Sequence, residues 1–195
     1  MTRRVYFLFG VMAVTWGIPY FFIKIAVEEL TPASMVMARC GLASLILLPI
    51  AWRNGSLQQG LRAFKWVLVF AVLEYIIPWF LIGTAEQKLP SSVAGLLLAT
   101  TPLFATIYGR ILGDRTATQW RRLAGLAIGF AGVASLVGID GMNGDVDWLS
   151  AMMILVTSMC YVIAPMVIMR NTQGTNQMGI VALAMPLTAL FWAVP

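Results

Sequence analysis

Three charged side chains lie inside apolar runs: Lys24, Arg39 and Glu74. Ionisable groups in such runs are costly and normally face a protein interior or a water-filled cavity. Lys24 is one turn from the end of its run with Glu28 at i+4, so snorkelling and a helical ion pair account for it as well as a functional role does. Arg39 lies a short way into the next run and can also snorkel. Glu74 differs, because it sits near the middle of a run from Trp66 to Thr84 and a carboxylate cannot reach far. It is protonated, paired with Arg39 or Lys24, or solvated in a cavity. Such a carboxyl group could carry a coupling proton or meet an amine, and the basic groups could meet a carboxylate or another anion.

Other residues uncommon in lipid fall at the same depth. The first run has Trp16, Gly17 and Pro19, and Tyr75 and Pro78 accompany Glu74. Thr100, Thr101 and Pro102 interrupt the fourth run, and Ser158, Tyr161 and Pro165 the sixth. Proline removes a helical donor and frees a carbonyl, which is tolerated in a membrane where protein or a cavity lies alongside. Proline and glycine also occur in membrane helices for packing alone. Agreement in depth across four runs favours a central polar cavity, with helix breaks at Pro19, Pro78, Pro102 and Pro165. Trp16, Tyr20, Tyr75 and Tyr161 would give it aromatic faces and hydrogen bonds. A small amphipathic or zwitterionic metabolite suits that chemistry.

The elements that must position these groups follow from composition. Of 195 residues, 60% are hydrophobic and only 11% charged, and the mean hydropathy is +0.85. A soluble domain has about 25% charged residues. The fold class is therefore all-α, a polytopic membrane helix bundle in contact with lipid. The net charge of +5 is set by short basic loops and carries no implication of nucleic-acid binding. Histidine is absent, which removes imidazole relays, His metal sites and Ser–His catalysis. Aspartyl chemistry in a membrane needs two facing acids, and only Glu74 is central. No enzyme, metal site or cofactor is expected. Cys40 and Cys160 lie in apolar runs and read as small buried hydrophobes.

Seven spans are expected: about Val5–Val27, Ser34–Trp52, Trp66–Thr84, two around a loop near Arg115 that end near Ile139, Trp148–Met169, and one from Met178 that is still apolar at Pro195. A run near 20 residues crosses about 30 Å of hydrocarbon. With the N-terminus in the cytoplasm, Arg3, Arg4, Arg53, Arg62, Lys65, Arg110, Arg115, Arg121, Arg122 and Arg170 are inside, and Lys88 alone is outside. Glu28, Glu29, Glu86, Asp140, Asp145 and Asp147 then lie in outer loops. This is the asymmetry that membrane insertion imposes. The first run is too long for a signal peptide and reads as an uncleaved span. Asn54-Gly55-Ser56 matches a glycosylation acceptor but falls on the inner side. The apolar ending suggests a fragment of a longer protein.

The fourth and fifth spans carry the most specific pattern. Small and Leu residues from Ala94 lead into Thr101-Pro102-Leu103-Phe104, then Leu112-Gly113-Asp114-Arg115, then a Gly-rich helix with Gly125, Gly129 and Gly132 on a small-residue face for close packing. With Trp16-Gly17, Ile23-Lys24 and Ala38-Arg39, this resembles the EamA family of the drug/metabolite transporter superfamily, with Asp114 where that family usually has Glu. The resemblance implies ten helices in two inverted five-helix repeats, both termini in the cytoplasm, and a carrier, often an exporter, of small metabolites in a bacterial inner membrane. Residues 1–139 would be the first repeat and 140–195 the start of the second. Val14-Thr15 and Val156-Thr157 align between the two, each followed by a proline-bearing segment. Proton coupling and a homodimer stay open. The alternative is a non-transporting membrane subunit or receptor-like scaffold.

Overall fold

The computed structural model describes residues 3–113, 119–120, 123–129, 131–132, 135 and 147–193. Expectations for Asp114, Arg115, Arg121, Arg122, Asp140 and Asp145 lie outside these residues. The described chain is helical. α1 (Arg3–Glu29), α2 (Pro32–Arg53) and α3 (Ser56–Arg62) are followed by α4 (Phe64–Phe70), a π-helical turn (Ala71–Ile76) and α5 (Ile77–Glu86). Next come α6 (Ser91–Leu98), α7 (Thr101–Ile111), α8 (Trp148–Asn171) and α9 (Gln177–Trp192). Among the described residues, five helices are long and apolar enough to cross a membrane: Arg4–Glu29, Pro32–Arg53, Phe64–Glu86, Ser91–Ile111 and Trp148–Asn171. α9 is apolar but shorter.

Local chemistry sets the boundaries. Thr31 caps α2, its hydroxyl accepting from the Ser34 amide at 3.2 Å, and Pro32 opens the helix where no intrahelical donor is needed. Gly55, at φ 68°, turns the chain from α2 into α3. The Ser56 hydroxyl donates to the Ala51 carbonyl at 3.2 Å, satisfying an acceptor at the end of α2. Asp147 caps α8 and accepts from the backbone and hydroxyl of Ser150.

Those bonds from the Ser150 side chain and backbone hold the Asp147 carboxyl below its ordinary value. A folded value below the unfolded one contributes stability above the unfolded value, and that stability is lost as pH falls through the folded value. The protection of the Ser150 and Ala151 amides, relative to the intrinsic exchange rate at each pH, is therefore expected to fall on acidification and to be low at every pH in Asp147→Ala. An unchanged exchange rate in that variant would show that the cap does not hold this turn.

Two breaks in the spans have identifiable causes. Pro78 has no N–H to return to Glu74, four residues earlier, and the chain widens there: Ile77 N–H bonds the Val72 carbonyl in the π pattern. Pro102 likewise leaves the Leu98 carbonyl without its helical donor. The Thr101 hydroxyl supplies that bond at 2.6 Å, and the Thr100 hydroxyl bonds Leu97 O at 2.6 Å. α1 and α8 run through Pro19 and Pro165 without interruption.

The core lies where α9 packs on α2 and α3 and where α5 packs on α8. Val36, Cys40, Val67, Ile154, Ile180 and Ala184 are buried there. α9 and α3 approach through glycine. A Cβ on Gly60 would lie 2.6 Å from the Gly179 carbonyl oxygen, and one on Gly179 would run into the Ser56 carbonyl. The Asn176 amide donates to Gln59 Oε1 at 2.8 Å beside this contact. By contrast, a Cβ on Gly125, Gly129 or Gly132 meets nothing within 4 Å among the described residues. α1 is sparsely packed and leaves Phe7, Phe9, Phe21 and Phe22 exposed, as a lipid-facing helix does.

Helix directions agree with the loop charges. Lys88 and Asp147, expected on one side, form an ion pair at 3.5 Å. The α3 end, with Arg53 and Arg62, adjoins the turn between α8 and α9.

Candidate functional site

A cavity of about 390 Å³ lies inside the bundle. α1 contributes Thr15, Trp16, Pro19, Tyr20 and Ile23, and α2 contributes Arg39. The π turn and α5 give Glu74, Tyr75, Trp79 and Ile82, α8 gives Tyr161 and α9 gives Met185. The volume suits a small metabolite, at the lower end of ligand pockets, about 300–1,000 Å³. A second, apolar hollow between α1 and α2 shares Pro19, Ile23 and Arg39 with it.

The two central charges are held differently. The Arg39 guanidinium carbon stacks 3.8 Å from the Trp79 ring centroid, a cation–π contact that tolerates burial. Trp79 is fixed in turn by Tyr75, edge to face at 5.0 Å, and Tyr75 by Phe70 at 5.5 Å. Glu74 is carried on the π turn, and its Oε2 is buried without a hydrogen-bond partner among the described residues. The ion pair found among the described residues is Lys88–Asp147, so neither Arg39 nor Lys24 neutralises Glu74 at salt-bridge distance. The prolines add to this polarity. Pro19 and Pro165 withhold the helical N–H from the carbonyls of Thr15 and Tyr161, and both residues line the cavity.

The structure thus brings together Trp16, Tyr20, Arg39, Glu74, Tyr75 and Tyr161. Lys24 is placed elsewhere, its Nζ bonding the Glu86 carbonyl at 2.6 Å. Thr100 and Thr101 are outside the cavity lining, their hydroxyls engaged in mending the helix before Pro102. Sequence reasoning passed over Trp79, Ile82 and Met185, and singled out Ile23 only for the family resemblance. The signal for Trp79 was its position one turn after Tyr75 on the same helix. Glu86 was expected in a loop. It closes α5 instead and is 0% exposed.

Apolar helices long enough to span a membrane thus enclose a polar cavity beside a π turn. Residues 3–138 match the EamA-like transporter family, and the chain belongs to that family. It is 30% identical over 82% of its length to the uncharacterized inner membrane transporter YedA of Escherichia coli K12, covering 52% of that protein. An uncharacterized transporter of Archaeoglobus fulgidus is 24% identical over 77% of the chain and 50% of the relative. Protein PagO of Salmonella typhimurium is 29% identical over 68% of the chain and 42% of the relative. The chain thus spans about half the length of the curated relatives it matches. No solved structure matches it significantly.

Proposed function

We propose that this chain contributes the substrate cavity of a secondary carrier that exports a small zwitterionic or amphipathic metabolite by alternating access. The observation that carries the reading is the convergence of Arg39 and Glu74 on one cavity without an ion pair between them. A guanidinium and a carboxyl group held apart in an aromatic site complement a ligand that bears both charges. Arg39 meets its carboxylate, Glu74 its amine or the coupling proton, and Tyr75, Trp79 and Tyr161 its apolar part. The basic loops at the α3 end support a cytoplasmic N-terminus, and relatives named as inner membrane transporters support that membrane as the location.

The test is competition for uptake into proteoliposomes holding the native protein, using sets of matched zwitterions, amines lacking the carboxylate and acids lacking the amine. A hydrogen bond to a charged group contributes about 1.5–3 kcal/mol, so the truncated compounds are expected to compete about 10- to 100-fold less well. Equal competition by all three sets would refute the assignment of Arg39 and Glu74 to the ligand's two charges.

A further inference from the structure

Glu86, the last residue of α5, is fully buried, yet both of its carboxyl oxygens lack a hydrogen-bond partner among the described residues. Lys24 of α1 donates to its backbone carbonyl at 2.6 Å and not to its carboxyl group. That bond ties α1 to α5 one turn beyond the cavity. Tyr20 and Ile82, each four residues earlier, line the cavity. The contact therefore covers the cavity at the end that also holds the Lys88–Asp147 ion pair.

An ionised carboxylate buried without partners is strongly unfavourable, and the neutral acid is much less so. The closed contact therefore selects the protonated form. When α1 and α5 part, water reaches the carboxyl group and ionisation becomes favourable. We infer that Glu86 is a second proton-binding site that gates this mouth, protonated while α1 covers it and ionised when the mouth opens. The idea rests on the cavity reading for what the gate serves, but not for whether the gate exists.

Opening releases a proton, so rising pH favours the open state. Lys24 and Tyr20 of α1 are the ionisable groups that face Glu86. On the other elements packed against α5, Arg39, Glu74, Tyr75 and Tyr161 line the cavity, Cys40 lies near Arg39 and Cys160 near Glu74, and α6 has no ionisable group. Asp147, ahead of α8, is bonded to Ser150 and Lys88.

The test places nitroxide labels at the exposed positions Glu28→Cys and Gln87→Cys, with Cys40 and Cys160 left buried, in the native protein in liposomes. Distances are read by pulsed electron resonance between about pH 5 and about pH 9, the range over which buried glutamates titrate. A second population, longer by about 5 Å or more, the scale of a one-turn slide, is expected at high pH. Glu86→Gln should stay short throughout and Lys24→Met should favour the long distance at every pH, with Glu74→Gln measured alongside. If the native distance does not change with pH, ionised Glu86 has recruited Lys24 and the gate is refuted, with or without a foldable Glu86 variant. A response lost only in Glu74→Gln would move the proton site into the cavity and also refute it.

Discussion

Gly179→Ala is expected to be among the most damaging single substitutions in this chain, at about 3 kcal/mol, the upper part of the range for overpacked sites. The new methyl group would collide with the Ser56 backbone carbonyl, and a backbone cannot turn aside as a flexible side chain can. Gly60→Ala should act similarly, because its Cβ would lie 2.6 Å from Gly179 O. Each variant separates α9 from α3 and so loosens the wall that carries Met185. Gly41→Ala is the control: nothing lies within 4 Å of the added atom, and the gain in helix propensity makes it neutral or stabilising by up to about 1 kcal/mol. Thermal unfolding in detergent should rank Gly179→Ala below Gly60→Ala, and both far below Gly41→Ala. Three indistinguishable midpoints would show that α3 and α9 do not meet through their glycines.

The second large effect is at the cavity. Arg39→Gln is expected to weaken substrate by about 10- to 100-fold, the loss of one charge-assisted contact. Arg39→Lys should restore only part of it, because an ammonium keeps the charge but lacks the planar stacking on Trp79. Glu74→Gln is expected to leave the protein folded, since it replaces a buried carboxyl group that has no partner among the described residues, and to weaken the pH dependence of flux. Flux and its pH profile, measured on the native protein and the three variants, decide the matter. A Glu74→Gln protein with the native profile would remove Glu74 from proton coupling, whatever happens at Arg39.

Much of this site was legible because charge inside an apolar run is rare. Arg39 and Glu74 stood out from their neighbours alone, and the structure brings them to one cavity. Five of the seven expected spans followed from run lengths, and the ion pair between Lys88 and Asp147 agrees with the side to which their loops were assigned. Other features depended on packing that no local pattern reports. Thr100 and Thr101 have the residue types of a binding motif, but Pro102 requires one hydroxyl to replace its missing amide. The π turn follows from Pro78 four residues after Glu74, although proline permits several responses. Glu86 sits among polar neighbours, Gln87 and Lys88, and its burial is a product of tertiary packing in which Lys24 of α1 bonds its carbonyl. α3 is too short for periodicity to distinguish, and its role appears only with Gly179 opposite Gly60.

The composite origin of the cavity walls bears on how the protein is made. Arg39 and Glu74 enter the bilayer with the early helices, whereas Tyr161 and Met185 belong to helices synthesised much later. During that interval the charged midplane lacks two of its walls and borders lipid or the insertion machinery. A nascent chain held at that stage is expected to be the species most vulnerable to quality-control proteolysis, and docking of α9 on α3 through Gly179 is the event that ends the exposure.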